Sequence, residues 1–571
     1  MNNQKITRRD FIGKSLAAGL TIGALPQRAM GQRNETEQSL SPKLGNYVPR
    51  GTRRIMYVSD YDSISSDYLP DPVSEQDLQL WVDELAAVRV NTFIQDAYAA
   101  GFTTYWRADG FDYMPHPRMR RFLPLMDAGV QPLDVLLRQS HRRGMEFLAA
   151  IRINDNDGHR DAVKGGSFIM KNPQWGFKEA PPGPLYAVAA KLTMDFSFPE
   201  VRDYLFSIAE ALVSRFDVDG LELSFRDNFY FPPKRGRQSQ PLMTELVRRI
   251  RLMLDQKGRE RNKKLQLGAR VYETVEGCQD LGLDVLNWIS DGLLNYIAPG
   301  DMMYSDLNAP YEKITQVARA SDCLVYPALY PWSSARMRRR KGGMPISLEE
   351  KRAIAKNFYG AGADGISLFN HHEHQQSAPF YPMMLQDCIE LRDAHLPSHG
   401  DRHYVFEPIW AGCRGFGEGR AVTGTLKADK IVLKRADPDA NGTYRFRICE
   451  DFKQVRRASL LFRGHPMTEK DKIEVRLNGV SIPLAKLRRR NNEHRVDLAA
   501  PVDVASRTAS GEVLVPDIGV GPFLTTWFDL TGPPAVYGDN WLEIKLIETD
   551  PEISQDLLIE EIEVFIRPKL T

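Results

Sequence analysis

The stretch that decides the fold lies at residues 216–225, which read FDVDGLELSF. Because side chains alternate across a strand, Glu222 and Ser224 share one face, whereas Leu221 and Leu223 share the other. The preceding segment, 199–216, starts with a proline and then repeats apolar residues every three or four positions, which predicts a helix with one buried face. A helix followed directly by a buried strand is the unit from which α/β folds are built.

The same alternation recurs from residue 53 to residue 398. Apolar runs such as FLAAI at 147–151 suit parallel strands that are buried on both faces. Segments of capping-box form begin the helices at Ser74 and Ser347. Eight strands are predicted, at 54–58, 90–95, 146–151, 220–225, 265–271, 293–298, 323–328 and 365–369. Eight strand–helix units predict a (β/α)8 TIM barrel. An open doubly wound sheet would carry a glycine-rich turn after its first strand, and VSDYD at 58–62 is not one.

The pattern changes near residue 400. Residues 402–571 alternate apolar with polar side chains, as in IEVRL at 473–477, and few helical periods remain. Turn residues such as Asn478-Gly479 join these runs. The region 402–571 is therefore expected to form a separate C-terminal β-sandwich that packs against the barrel.

Composition excludes several classes of protein. The 571 residues include 75 lysines and arginines against 74 aspartates and glutamates, so the formal net charge is +1. This balance argues against general nucleic-acid binding, which needs a basic excess. Hydrophobic residues make up 42% and charged residues 26%, which is globular and not disordered composition. The five cysteines are scattered with no CxxC motif, which argues against a disulfide framework or a cysteine-based zinc site.

The N-terminal segment has the features of an export signal. Thr7-Arg8-Arg9-Asp10-Phe11 carries a twin arginine, an apolar stretch follows at 16–25, and Ala29-Met30-Gly31 offers a cleavage point. We expect a twin-arginine signal peptide at 1–31, a linker at 32–52, the twin-arginine translocation (Tat) machinery as a partner, and a periplasmic or extracellular location. The apolar stretch is too short to span a bilayer, and no later stretch is long enough, so no membrane span is expected.

Two motifs resemble a known family. MDFSFPEVRDY at 194–204, followed by FDVDGLEL at 216–223, resembles bacterial glycosyl-hydrolase-like barrel proteins. The resemblance covers residues 50–395 and implies the barrel fold and a sugar-hydrolase ancestry, with a carbohydrate as substrate. One position departs from the family, because its second acidic residue in the fourth strand is Ser224 here. A partner for Glu222 must therefore come from another strand.

Glycosidic cleavage usually needs two carboxyl groups, one as acid and one as nucleophile or base. A barrel places reactive groups at the carboxyl ends of its strands, where Glu222 is the strongest candidate. Asp301, after the sixth strand, is the preferred partner, and Asp155, Glu273 and Glu373 are the other acids at strand ends. Two alternatives stay open: Glu222 can form a buried ion pair with Arg152, Arg226 or Arg270, and Asp301 can cap a turn.

Further residues near the strand ends are candidates for binding substrate. They offer hydrogen-bond donors and acceptors for sugar hydroxyls or flat rings for stacking: Asp96, Tyr98, Arg152, Asn154, Asp155, Arg226, Arg270, Tyr330, Trp332, His371, His372 and Glu373. The three arginines suit an anionic glycan, but they equally suit the orientation of catalytic acids.

Three functions remain open. The favoured one is an exported glycoside hydrolase that uses two carboxylates and neither a metal nor a cofactor. The cluster His371–His374 could instead ligate a metal in a metal-assisted barrel enzyme, although the HExxH spacing is absent. A catalytically silent barrel that binds glycan or organises an envelope assembly is the third, because Ser224 replaces an acid.

Overall fold

The structure is a computed structural model. It describes residues 48–52, 54–154, 166–178, 193–225, 229–232, 234–300, 305–331, 346–371, 389–392, 399–406, 431–491 and 522–569. Residues 44–571 form one compact unit. Within the described ranges, none of the helices has the length and apolar character needed to cross a membrane.

Strands and helices alternate in the first part of the chain, as predicted. The strands are β1 (Ile55–Ser59), β2 (Thr92–Ala99), β3 (Thr103–Thr104), β4 (Glu146–Arg152), β5 (Gly220–Ser224), β6 (Gln266–Val271), β7 (Tyr296–Pro299), β8 (Leu324–Val325), β9 (Ala328–Leu329) and β10 (Ile366–Phe369). The helices are α1 (Tyr61–Asp67), α2 (Glu75–Ala87), α3 (Leu123–Asp127), α4 (Pro132–Arg142), α5 (Ser167–Lys171), α6 (Pro199–Arg215), α7 (Gly236–Glu260), α8 (Val275–Asp280), α9 (Val285–Ser290), α10 (Glu312–Arg319) and α11 (Leu348–Gly360). Both predicted capping boxes, at Ser74 and Ser347, are present.

The parallel strands form one curled sheet in the order β8-β7-β6-β5-β4-β2-β1-β10-β9, and β3 adds to β2 in the antiparallel sense. The two end strands, β8 and β9, are consecutive in the chain and are separated only by Tyr326 and Pro327. The strand predicted at 323–328 is therefore split: its first half pairs with β7 and its second half with β10. The prediction of a barrel is confirmed as a barrel-like parallel sheet with intervening helices.

Proline explains the split. Tyr326 still donates its N–H to the Ile297 carbonyl at 2.9 Å, on the side of β7. Pro327 has no N–H to donate, but its carbonyl accepts from Ser367 at 3.0 Å, on the side of β10. The dipeptide thus keeps one backbone hydrogen bond to the β7 side and one to the β10 side.

The second part of the chain forms two antiparallel sheets. One has the order β11-β20-β14-β18-β17 with β12 also on β20, and the other has the order β13-β19-β15-β16. Phe406 of the first sheet and Phe446 of the second are in aromatic contact, with ring centroids 5.6 Å apart. The strands are β11 (Arg402–Phe406), β12 (Ile431–Leu433), β13 (Asn441–Ile448), β14 (Val455–His465), β15 (Lys472–Leu477), β16 (Val480–Ser481), β17 (Arg488–Asn491), β18 (Leu524–Asp529), β19 (Gly538–Glu548) and β20 (Leu557–Pro568).

The turn predicted at Asn478-Gly479 is present in the structure. The Asn478-Gly479 turn joins β15 to β16, and both residues have positive φ, 52° and 78°, as a tight hairpin turn requires. Of the cysteines, Cys278, Cys323 and Cys449 are buried free thiols.

Two asparagines join the barrel-like part to the four-stranded sheet. Asn357, on α11, donates to the Arg447 carbonyl at 2.8 Å and accepts from the Cys449 N–H at 3.0 Å. Asn308 makes the same pair of contacts two residues earlier, with the Arg445 carbonyl at 2.9 Å and the Arg447 N–H at 2.9 Å. Because β13 is an edge strand of its sheet, these side-chain amides occupy the place of a further strand.

A second feature of the C-terminal part is the buried carboxylate of Glu563 on β20. It accepts from His403 Nε2 at 2.7 Å and forms an ion pair with Arg463. Burial alone would raise the pKa of Glu563, but these two partners outweigh it and lower the pKa to about 2.

We expect Asn357→Ala to lower the free energy of unfolding by about 2 kcal/mol or more, because it leaves a buried N–H and a buried carbonyl without partners. Urea denaturation measures this loss. Asn287→Ala is the matched control, since Asn287 is exposed on α9, and it should stay within about 0.5 kcal/mol of the parent. Equal midpoints for Asn357→Ala and the parent would contradict this role.

Glu563→Gln should change the pH dependence of stability. Because the folded pKa of Glu563 lies below its ordinary value of 4.5, its stabilisation is fully present above that value and is lost as the pH falls toward 2. The parent should therefore be more stable than Glu563→Gln at pH 6, and the gap should narrow steadily below pH 4.5 in thermal unfolding. Exposed Glu552→Gln is the control, and a gap that is constant from pH 6 to pH 2 would refute the assignment.

Candidate functional site

Strand register places the candidate residues in two layers inside the curled sheet. In the lower layer, Glu222 lies level with Ala150 on one side and Gly268 on the other. In the layer above it, toward the carboxyl ends of the strands, Ser224 lies level with Arg152 and Arg270. The inward alternation predicted for Glu222 and Ser224 therefore brings an acid directly below two arginines.

Both carboxylate oxygens of Glu222 are held. Arg270 Nε lies 3.1 Å from Oε1, and the Tyr296 hydroxyl donates to Oε2 at 2.9 Å. The Glu222 side chain is 0% exposed, and Arg270 is 1% exposed. Of the three arginines considered from sequence as ion-pair partners of Glu222, the structure pairs it with Arg270.

The charge of Arg270 depends on this pair. Burial alone would lower the pKa of the guanidinium, but the Glu222 carboxylate, together with Tyr330 and Tyr296, more than offsets that effect and holds the pKa above its ordinary value. Arg270 Nη2 also donates to Ser367 Oγ at 2.6 Å, and the guanidinium carbon lies 5.6 Å from the centroid of the Phe369 ring. The arginine is thus a fixed cation at this site.

Gly268 makes the contact between Tyr296 and Glu222 possible. It pairs with Glu222 on one neighbouring strand and with Tyr296 on the other. A Cβ atom at position 268 would lie 1.9 Å from Cζ of Tyr296, so the ring occupies the space that a side chain would need. Only glycine lets the tyrosine ring cross β6 and reach the acid.

Arg152 is the centre of a second buried cluster. Its Nη2 lies 2.9 Å from Asp60 Oδ2, and its Nε lies 2.5 Å from Asp96 Oδ2. Asp60 follows β1 directly and caps α1 by accepting from the Ser63 N–H at 2.6 Å. Asn370, after β10, donates to Asp60 Oδ2 at 2.6 Å. The cluster therefore joins the ends of β1, β4 and β10 to the middle of β2.

Sequence reasoning missed Asp60 and Asn370. Their positions in the sequence could have identified them. Asp60 directly follows β1 and Asn370 directly follows β10, and a barrel gathers its polar groups at such strand ends.

Two of the predicted substrate contacts lie elsewhere. A bulge between Asp96 and Tyr98 brings Tyr98 level with Ile151, on the face that packs against the helices, where its ring contacts Phe102. Tyr98, a predicted substrate contact, therefore lies on the helix-facing side of β2, because the extra residue reverses the alternation.

Asn154 is occupied by the backbone. Its amide donates to the carbonyls of Met194 at 2.9 Å and Phe229 at 2.7 Å, and its oxygen accepts from the Met194 N–H at 2.9 Å. The side chain is buried, and its φ of 59° is one that asparagine tolerates. The structure thus gives Asn154 a positioning role for the segments that follow β4 and β5, in place of the predicted substrate contact.

The remaining described candidates are Tyr330, His371 and the acid Glu273, which lies two residues after β6 and is fully buried. The Tyr330 ring contacts Phe369, with centroids 5.6 Å apart, and its side chain is buried. His371 Nε2 lies 2.9 Å from the Leu329 carbonyl and is likewise buried. Within the described ranges, no group of three or more His, Cys, Asp and Glu residues could hold a metal ion.

Several predicted site residues lie outside the described part of the chain. They are Asp155, Arg226, Asp301, Trp332, His372 and Glu373. Their assignments stay predictions.

The arrangement suits a carboxylate anion at position 222. Both of its oxygens accept hydrogen bonds from donors, and a protonated carboxyl would lose one of these contacts. A carboxylate held in this way can stabilise positive charge, act as a base or act as a nucleophile. Glycosidic cleavage would also need a proton donor, which would be a second residue.

Comparison with known proteins also finds similarity to glycosyl-hydrolase-like proteins. Residues 54–246 match the family described as Glycosyl hydrolase-like 10. Among curated proteins, Glycosyl hydrolase DigH of Escherichia coli (strain K12) is 24% identical over 313 residues, which cover 46% of this chain and 66% of that protein. Glycosyl hydrolase YngK of Bacillus subtilis (strain 168) is 23% identical over 210 residues, which cover 30% and 39%. The chain thus spans slightly less than two thirds of the first relative.

Among solved structures, the glycoside hydrolase domain of PgaB (BpsB) from Bordetella bronchiseptica overlaps with a TM-score of 0.39 and 13% identity, covering 59% of this chain and 99% of that one. Alpha-L-fucosidase isoenzyme 2 from Paenibacillus thiaminolyticus overlaps with a TM-score of 0.38 and 14% identity, covering 59% and 49%. The family match supports the resemblance seen at 194–204 and 216–223: over residues 54–246 the chain is similar to glycosyl-hydrolase-like proteins.

Proposed function

We propose that the chain is an exported glycoside hydrolase that cleaves the O-glycosyl bonds of a poly- or oligosaccharide with two carboxylates and no cofactor. One observation carries the proposal: Glu222, with both oxygens held, projects inward from the middle of β5, a central strand within the family-matched region. Glycoside hydrolysis is the chemistry that an oriented carboxylate in such a sheet performs in this class of protein.

The two acids would divide the work. Glu222 acts as nucleophile or base, because Arg270 and Tyr296 both donate to its oxygens and hold the carboxylate in place. Asp301 is the general acid, since it follows β7, the second strand beyond β5 in the sheet. Carboxyl groups about 5–5.5 Å apart would mean retention of configuration at the anomeric carbon, and about 6.5–9.5 Å would mean inversion.

The contacts of Arg152 and Arg270 favour a role in orienting acids over a role in binding an anionic glycan. Arg152 already faces two carboxylates, and Arg270 faces one. Their contacts support a role in orienting acids and give no separate reason for an anionic glycan. The substrate is accordingly proposed as a carbohydrate.

The finer architecture belongs to the same proposal. The split strand β8–β9 completes a closed (β/α)8 barrel over 53–398, and the two antiparallel sheets form a β-sandwich over 402–571. Residues 1–31 are a twin-arginine signal peptide, so the mature protein works in the periplasm or outside the cell.

A catalytically silent glycan-binding barrel is the second candidate, and two observations favour it. Ser224 stands where the family has an acid, and it lies between Arg152 and Arg270 in the register. Glu222 is fully buried in an ion pair, which can serve to hold Arg270 without any role in catalysis. Among the described residues nothing favours the metal-assisted alternative, and His372–His374 lie outside them.

Glu222→Gln and Asp301→Asn should each reduce the release of reducing ends from a polysaccharide panel by at least about 100-fold, because each removes one of two required proton-transfer or nucleophilic groups. Product analysis of the panel is the measurement. The parent should keep its activity in a chelator, whereas a metal-assisted enzyme would lose it. Full activity in Glu222→Gln would contradict the mechanism.

The controls separate lost chemistry from lost folding. Breaking a buried ion pair can cost about 3–5 kcal/mol, so each variant must show the parent's unfolding transition before its activity is interpreted. Glu552→Gln, with an exposed carboxylate, should be fully active. A folded parent that retains a glycan on affinity electrophoresis but releases no reducing ends would establish the silent barrel.

Replacing Arg8 and Arg9 by lysines should block export, because the twin-arginine route reads that pair. Cell fractionation should then find the full-length precursor in the cytoplasm, while the parent appears shortened in the periplasm or medium. Unchanged export of the double variant would refute the proposed leader. Replacing Lys5 by arginine is the control for a change of basic side chain nearby.

A further inference from the structure

We propose that the C-terminal part carries a second carbohydrate site, a cleft that binds a neutral pyranoside chain. The cleft has a volume of about 480 Å³, which lies within the range of small-molecule sites. One wall is the start of α11, at Ser347 and Glu349, and the floor is the outer face of the sheet formed by β11, β20 and β14. The strand-end residues around Glu222 take no part in it.

Phe565 provides a platform. It lies on β20, level with His403 on β11 and with Ser459 on β14, so the three side chains form a row across the sheet. The rings of Phe565 and His403 stack with centroids 4.0 Å apart and planes 17° apart. Even so, 44% of Phe565 is exposed at the cleft.

Neighbouring side chains on the same face of the sheet hold His403 and Phe565 in place. His403 Nε2 lies 2.7 Å from Glu563, whose other oxygen is paired with Arg463. This contact fixes the imidazole ring, and the imidazole ring in turn fixes the tilt of Phe565. A rigid aromatic face binds at low cost in side-chain entropy.

Polar groups stand around the ring. Arg567 is oriented by Asp401, with Nη2 2.9 Å from Oδ2, and more than half of its side chain is exposed. Arg457 pairs with Arg567 in the register between β14 and β20, and it makes no ion pair with any residue in the described ranges. Ser459 adds a hydroxyl that can donate and accept.

Charge decides the class of ligand. Within the lining, Arg457 and Arg567 are balanced by Glu349 and Asp401. His403 is paired with Glu563 of the sheet, and the buried Arg402 is paired with Glu450. A polyanion would gain little from such a surface. A neutral sugar fits, because its apolar C–H face stacks on Phe565 while its hydroxyls meet donors and acceptors on both sides.

The inference rests on the proposed function only for the choice of polymer, since a barrel that acts on a glycan would gain from a second contact with the same chain. Two sites on one polymer raise the local concentration of substrate at the first. The cleft would therefore lower the polymer concentration needed for half-maximal rate without changing the chemistry at Glu222.

Affinity electrophoresis of the full chain in gels with hydroxyethyl cellulose, dextran, glycol chitin or polygalacturonate tests the cleft. At least one neutral polymer should retard the parent. Phe565→Ala should weaken that binding about tenfold, because it removes the stacking surface. Arg457→Ala should weaken it less, and Trp541→Ala should leave it unchanged, since Trp541 is a comparably exposed aromatic residue, 47% exposed, on the other sheet.

The outcomes separate the two proposals. Retardation that depends on Phe565, without release of reducing ends, would overturn the hydrolase and leave the cleft standing. Hydrolysis with equal binding by the parent and Phe565→Ala, or no retardation in any neutral gel, would overturn the cleft. Strongest binding to polygalacturonate, abolished by salt, would replace the neutral ligand with a polyanion. Unchanged thermal unfolding of Phe565→Ala excludes misfolding as the cause.

Discussion

The ion pair between Glu222 and Arg270 is the interaction on which the interior depends. Two opposite charges without contact with water are tolerated only when each finds further partners, since the cost of removing them from water is several kcal/mol per ion. Tyr296 supplies one such partner and Ser367 the other. These four side chains come from β5, β6, β7 and β10, so one polar contact chain spans the hollow of the curled sheet.

The arginine of the neighbouring cluster works in the same way around the opposite part of the sheet. Arg152 reaches Asp60 and Asp96, and Asn370 completes the group. Together the two arginines contact side chains on or directly after β1, β2, β5 and β10. A barrel-like sheet usually fills its interior with branched apolar side chains, and here ions take part of that volume. Fixed dipoles and charges of this kind are what an active site needs in order to stabilise a developing charge.

The sequence predicted those features that depend on a regular pattern of apolar residues. Apolar runs identified every parallel strand, and alternation placed Glu222 inward. It failed where a single residue changed the local rule: the bulge before Tyr98 reversed the alternation, and Pro327 divided one predicted strand between two partners. Partner choice was also beyond it, because whether Arg152 or Arg270 meets Glu222 depends on side-chain packing across strands. Asn154 looked like a ligand for the same reason, since an amide suits a sugar and a backbone equally well.

The paired amides of Asn308 and Asn357 have a consequence for how the molecule can be divided. A fragment that ends before residue 400 would keep both asparagines but lose their strand, and a fragment that begins there would present β13 as an open row of donors and acceptors. Such a border invites pairing with another copy, so excised halves would tend to self-associate. The two modules therefore depend on each other for folding. Evolution could replace one module only if the new module kept a surface that matches β13 or the two asparagines.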